Sequence, residues 1–302
     1  MIFCNEIESE AAVVHLLGAT VLELLNNPSV QEVSANYDAT LGRCRVFADY
    51  GTGPMAPLTA TLSPERVTAA MRLLAALNGQ GLRPDTPFLN CSLLNGFRLH
   101  GVLTQVSGEA KISDGPSFSI RGHARMVRPL ADFLSESGEQ LVTRAIAERK
   151  TLLVVGLTNS GKTTLLNALI GVIPASERLL IIEDTPELQP RPGNVVRRYA
   201  TPGTDLKRHV IESLRDRPDR IIIGEVRGNE AHDSLEAAAT GHPGLSSIHA
   251  GSCDQALARL ARLAGCDREF VRETIDMVLL VERTTDGRRV VTDIQQLKNP
   301  VR

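Results

Sequence analysis

The stretch GLTNSGKT, residues 156–163, is where this sequence most plainly promises chemistry. It satisfies G-x-x-x-x-G-K-[ST], a pattern whose parts each answer a need of phosphate binding. Gly156 and Gly161 permit a tight turn with close backbone approach, and the backbone of Thr158, Asn159 and Ser160 lines the turn. Lys162 is placed to reach β- and γ-phosphates as a point charge. Thr163 offers a hydroxyl to magnesium, and Thr164 falls near the α-phosphate. Asn159 stands where many such loops carry glycine, and asparagine tolerates left-handed backbone better than most residues. With four positions fixed, a chance match in a chain of this length has odds on the order of one in a hundred. A Gly-rich turn that binds nothing is the plain alternative. An apolar strand directly before and the helical TTLLNALIG directly after argue against it, because that order aims amides and a helix N-terminus at an anion.

Carboxylates follow at two further places. RLLIIEDTPEL puts Glu183 and Asp184 at the end of one apolar strand, and RIIIGEVRG puts Glu225 at the end of another. Ligands of open parallel sheets collect at the carboxyl ends of strands, so the three acids can converge on the phosphate site. The other reading is that they are solvated loop residues. Glu183 and Glu225 are candidates for activating water and for the magnesium shell, with the division between them open. Thr163, Glu225 and Asp184 are the magnesium candidates. Gly224 occupies the place where many nucleotide hydrolases carry an aspartate. TGHPGLSSIHAG adds His242 and His249. Their spacing is a weak metal signal, and a satisfied core histidine is the alternative for each. His249, just after an apolar run, is the better placed to donate to phosphate.

The elements that must hold these groups are legible as patterns. LLVV (152–155), LLII (179–182), III (221–223), LSSI (245–248) and VLLV (278–281) are short apolar runs separated by helical stretches. This predicts a mainly parallel sheet buried on both faces. SCDQALARLARLAG opens on a capping pair, Ser252 and Gln255, and closes at Gly265. VLLVERTTDGRRVVTDI predicts two strands joined around Asp286-Gly287. The first 125 residues read as alternating short strands and helices. AAVVHLLGATVLELLNN is helical up to Pro28, VQEVSANY is a half-buried strand, and SPERVTAAMRLLAALNG is a helix capped by Ser63 with Pro64 at its first position. GFRLHGVLTQVS and SFSIRGH read as strands, with the polar turn GEAKISDGP between them. The expected fold is α/β: a smaller α+β N-terminal domain over 1–125, a linker over 126–135 and a phosphate-loop domain over 136–302.

Composition narrows the class. The chain has 302 residues, net charge −2, no Trp and 3% aromatics. Stacking platforms and basic tracts are therefore scarce, and direct sequence-specific nucleic-acid binding is not expected. Cys4, Cys44, Cys91, Cys253 and Cys266 form no CxxC pair and are odd in number, which fits reduced thiols in a cytoplasmic protein. The acidic start does not read as a secretory signal, and no run approaches the ~20 apolar residues of a membrane helix. Guanine-recognition and ABC-signature stretches are not found.

In order, GLTNSGKTTLLNAL, RLLIIEDTPEL, SLRDRPDRIIIGEVRG and AAATGHPGLSSIHAG resemble the secretion (traffic) ATPases of type IV and type II secretion and type IV pili, nearest their conjugal-transfer, TrbB-like branch. The resemblance covers about 136–302 and, more weakly, LLNNPSVQEVSANYD, LNGFRLHGVL and SFSIRGH. Asn159 and the turn SGEAKISDGP depart from the family's usual residues. The resemblance implies a RecA-like motor domain, ATP with Mg2+, and a homohexameric ring. It also implies partners among inner-membrane and cytoplasmic components of a secretion apparatus, with peripheral membrane association through them. N-terminal arginines would help contact phosphate; by motif these are Arg98 and Arg121, with Arg227 a further candidate at a subunit boundary. A pilus or type II secretion motor, and a nucleotide-regulated ring with little turnover, are the alternatives.

Overall fold

The computed structural model describes residues 16–51, 53–83, 86–93, 97–103, 106–107, 110–111, 113–122, 127–191, 193–201 and 203–298. Two compact units, Met1–Arg125 and Met126–Arg302, divide the chain. The first contains α1 (Ala19–Asn26), β1 (Glu32–Asp38), β2 (Arg43–Asp49), β3 (Ala56–Leu62), α2 (Pro64–Leu77), β4 (Phe88–Ser92), β5 (Arg98–Val102), the two-residue strands β6 (Val106–Ser107) and β7 (Ala110–Lys111), and β8 (Ser117–Arg121). Six of these strands make an antiparallel sheet in the order β3-β2-β1-β8-β5-β4. Alternation sets its two faces: Phe118 and Ile120 of β8 are buried, while Ser119 and Arg121 face the other way. Helix α2 begins as its sequence dictates, with the Ser63 hydroxyl accepting from the Arg66 amide and Pro64 at the first position. It packs tightly on the sheet: a Cβ at Gly101 would lie 2.3 Å from Met71 Cε.

Three expectations shift here. The first helix is broken at Gly18 (φ 94°), and residues 11–15 of that stretch lie outside the described residues. Strands β1, β2 and β3 follow one another with no helix between, where alternation of strands and helices was expected. The polar turn before β8 contains β7, which pairs with β6.

In the second unit a 3₁₀ turn at Leu130–Asp132 comes first, and Leu130 and Phe133 are buried in the core. Then follow α3 (Glu136–Ala147), β9 (Leu152–Gly156), α4 (Lys162–Gly171), β10 (Leu179–Glu183), β11 (Val195–Tyr199), α5 (Leu206–Ser213), β12 (Arg220–Ile223), α6 (Glu230–Ala239), β13 (Gly244–His249), α7 (Cys253–Ala264), α8 (Arg268–Thr274), β14 (Met277–Arg283) and β15 (Arg289–Gln296). The sheet order is β11-β10-β12-β13-β9-β14-β15, parallel throughout except for the β14–β15 hairpin. The apolar runs form its centre because both faces are covered. Leu153, Val155, Leu180 and Ile182 pack with Leu206, Leu235 and Leu257 of the helices on one side. Leu152, Val154, Leu179 and Ile181 pack with Val142, Ile146 and Leu165 on the other. Each such buried side chain contributes about 1.5–3 kcal/mol relative to exposure. At the far end of the sheet Arg220 is fully buried. Its Nε and Nη2 donate to both Glu177 oxygens (2.9 and 3.1 Å), and Nη2 also donates to the Ile146 carbonyl. Helix α7 has the expected cap: the Gln255 amide donates to Ser252 Oγ, and Gln255 Oε1 accepts from Gly251, one residue before the cap. Among the described residues no helix is long and apolar enough to cross a membrane.

Candidate active site

Strand β9 delivers the loop and α4 receives it. Gly156 ends β9, and Gly161 (φ 103°) is the cap of α4, with no side chain of its own to satisfy the first amides. Asn159 takes up left-handed backbone (φ 64°), the tolerance its residue type offered. Neither glycine accepts a side chain. A Cβ at Gly156 would lie 2.3 Å from Ser160 Oγ and 2.5 Å from the Val281 carbonyl, and one at Gly161 would lie 2.3 Å from Arg289 Cδ. The Ser160 hydroxyl is turned inward and buried, and its Oγ has no hydrogen-bond partner among the described residues. Thr163 and Thr164 are half-buried in the first turn of α4, and Leu157 projects from the loop at 64% exposure.

Lys162, only 7% exposed, folds back across the loop: Nζ donates to the Leu157 carbonyl (2.9 Å) and stands 3.0 Å from His249 Nδ1. From there a chain of polar contacts runs along the carboxyl ends of the strands. His249 Nε2 is 3.0 Å from Glu225 Oε1. Glu225 Oε2 accepts from Arg227 Nη2 (2.9 Å), and Arg227 Nη1 donates to Asp184 Oδ2 (3.1 Å). The geometry assigns the tautomer. An ammonium can only donate, so Nδ1 accepts and the imidazole proton sits on Nε2, aimed at Glu225. Burial and the neighbouring Lys162 charge hold the His249 pKa below its ordinary value, against the pull of Glu225, which keeps the ring neutral. Burial pushes the Glu225 carboxyl up, but Arg227, His249 and Lys162 outweigh it and leave its pKa below the usual range. Arg227 thus bridges two of the three acids singled out from sequence.

Glu183 is held differently. It is 3% exposed, Oε1 accepts from the Glu187 and Leu188 amides (both 2.8 Å), and Oε2 pairs with Arg197 Nη2 at 3.1 Å. Burial raises its pKa, opposed by those two amides and by Arg197. The contacts also account for Gly224. A Cβ there would come within 3.3 Å of Glu183 Cγ, so an aspartate at 224 would crowd the Glu183 carboxylate on the adjacent strand. Gly224 thus leaves room for the Glu183 carboxylate of the neighbouring strand.

The structure therefore brings together Lys162, His249, Glu225 and Asp184, with Arg227 as the bridge. His242 does not join them; it lines a small cavity with Thr151, Ser234 and Leu260. In the first unit, Arg98 and Arg121 are direct cross-strand partners on β5 and β8, and Glu32 of β1 stands opposite Arg121. The Glu32 carboxylate beside Arg121 offsets part of the like-charge cost of that pair. Sequence reasoning missed Arg197 and Arg289. Arg197 acts through pairing of the edge strand β11 with β10, and no spacing announces that. Arg289 follows the turn residues Asp286-Gly287, a place that signals only a hairpin. Among the described residues no three His, Cys, Asp or Glu side chains cluster as a metal site of their own. One hydroxyl and two partly exposed acids instead fit a divalent ion that arrives with phosphate oxygens and keeps its waters.

Residues 130–299 match the family model described as type II/IV secretion system protein. The conjugal transfer protein TrbB of Rhizobium radiobacter is 33% identical over 290 residues, covering 91% of this chain and 86% of that protein. The type IV secretion system protein PtlH of Bordetella pertussis is 34% identical over 261 residues, 70% of this chain and 75% of that one. The fold is like that of the ATPase DotB of Legionella pneumophila, with a TM-score of 0.66 at 20% identity over 94% of this chain and 80% of the other.

Proposed function

Because the chain belongs to the type II/IV secretion system protein family, we propose that it is an ATP-hydrolysing motor that powers conjugative DNA transfer or type IV secretion. The observation that carries this reading is the continuous contact from Lys162 through His249 to Glu225 at the mouth of the phosphate loop. Lys162 exchanges the Leu157 carbonyl for phosphate oxygens when nucleotide enters. His249, neutral and donating through Nε2, holds the Glu225 carboxylate in place. Glu225 is then the acid facing the reaction, and its low pKa suits orienting water rather than storing a proton. Glu183 shapes the segment 184–188 and stands by as a second carboxylate. Thr163, Glu225 and Asp184 would hold Mg2+ directly or through its waters, and the ion would offset charge on the phosphates. Arg98 and Arg121 supply guanidinium groups to the same phosphates.

The particle is proposed to be a homohexamer on the cytoplasmic side of the inner membrane, held there by other components of the apparatus. Steady-state phosphate release tests the reading. Wild type should hydrolyse Mg-ATP, and Lys162→Ala should lose at least about a hundredfold in rate. Equal rates in the two would sink it. Mass measurement with a non-hydrolysable ATP analogue should give a ring; a strict monomer at micromolar protein would remove the assembly from the proposal.

A further inference from the structure

The hairpin of β14 and β15 carries two adjacent arginines after its turn, and they part ways. Arg288 folds onto the turn itself, with Nε 2.7 Å from Asp286 Oδ2 and its side chain 75% exposed. Arg289, paired with Arg283 across the hairpin, lies instead against the phosphate loop. Its Cδ, Cγ and Nε stand 2.3, 3.0 and 3.0 Å from where a Cβ on Gly161 would be. The same hairpin presses the loop's other glycine through the Val281 carbonyl, 2.5 Å from the Cβ position of Gly156. Both fixed glycines of the loop are thus in contact with one element, and that element brings a guanidinium to the residue before Lys162.

We propose that Arg289 is a nucleotide-binding residue acting within its own subunit, and that it grips the phosphates common to ATP and ADP. This rests on the nucleotide-binding reading above. The packing of Arg289 on the loop supports it. The stem of Arg289 packs on Gly161, the cap of α4, so its charge is added where the loop already gathers Lys162 and the uncapped first amides of a helix. A guanidinium fork matches phosphate oxygens in pairs. Its place is beside Gly161 rather than among Glu225, Asp184 and Arg227 at the neighbouring strand tips. It therefore bears on the phosphates that remain after hydrolysis.

The test is direct binding of fluorescent ATP and ADP analogues to the full chain. Arg289→Gln keeps much of the stem that covers Gly161 and removes the charge, and Arg289→Lys keeps stem and charge. The expected result is a loss of about tenfold or more in affinity for both nucleotides in Arg289→Gln, as for a charge-assisted hydrogen bond. Arg289→Lys, which keeps the charge but not the paired donors, should lose less than Arg289→Gln, and Arg288→Gln should bind as wild type. Unchanged affinity in Arg289→Gln overturns the proposal. So does equal loss in Arg289→Gln and Arg289→Lys, which would mean that the charge of Arg289 contributes nothing to binding. A wild type that binds neither nucleotide removes the nucleotide reading itself and the role of Arg289 with it.

Discussion

At the scale of single residues, Glu183 and Glu225 differ in what already occupies their oxygens. Among the described residues, the Glu183 carboxylate meets fixed donors of its own surroundings: two amides and Arg197. Glu225 instead touches His249 and Arg227, groups that also contact Lys162 and Asp184. Glu225→Gln should therefore abolish turnover. Glu183→Gln should lower turnover and also cost about 1–2 kcal/mol of stability, because Arg197 is left beside a neutral amide. Phosphate release and chemical denaturation on the two variants check this together, and a Glu183→Gln protein as stable as wild type would contradict it. The cysteines make a second case. Burial, the largest influence on each, pushes Cys44 up to about 11 and Cys253 up to about 12 from an ordinary 9.0. The native fold keeps these thiols protonated where the unfolded chain would ionise. At pH 8 alkylation of the two should be far slower than of the half-buried Cys91, and rising alkali above 9.0 should favour the unfolded state. Mass mapping of labelled peptides reads the order.

Elements decide how much of this was legible beforehand. The phosphate loop and the strands β9, β10, β12, β13 and β14 announce themselves because burial on both faces demands unbroken apolar runs. The tips of β10, β12 and β13 then place Glu183, Glu225 and His249 without further information. Strand β11 was hidden, since VVRRY at a sheet edge is half exposed and shows no such run. With it went Arg197, whose function is to meet Glu183 across the β10–β11 pairing. The approach of the C-terminal hairpin to both loop glycines is a tertiary contact, and no local pattern reports it. The buried Arg220 at the start of β12 was likewise invisible, since an arginine before an apolar run reads as a solvated strand end. It ties β12 to Glu177 and to the end of α3. Arg220→Ala should cost about 3–5 kcal/mol by leaving Glu177 unpaired. Replacing Arg220 by Met together with Glu177 by Leu should recover much of that, because an apolar pair carries no desolvation penalty. Urea denaturation of the three proteins decides it; a double variant weaker than the single one would show that the hydrogen bonds to the α3 carbonyls dominate.

For the whole molecule, the division of groups between two units carries the main consequence. The first unit has its own core between the antiparallel sheet and its helices, and the second has one on each face of its parallel sheet. Lys162, Thr163, Glu225, His249 and Arg289 all belong to the second. Arg98 and Arg121 belong to the first, side by side in the β5–β8 register. Residues 127–302 expressed alone should then fold and bind an ATP analogue, since every loop and strand-tip group is present. Turnover should fall by about a hundredfold or more, the order of effect seen when a charge-stabilising donor is removed from a phosphoryl-transfer site. In the full chain Arg98→Ala and Arg121→Ala should each reproduce part of that loss while leaving analogue binding nearly intact. The opposite result is equally clear. If the isolated second unit hydrolyses ATP at the full rate, the arginines have no part in the chemistry, and the first unit serves only assembly or coupling to partners.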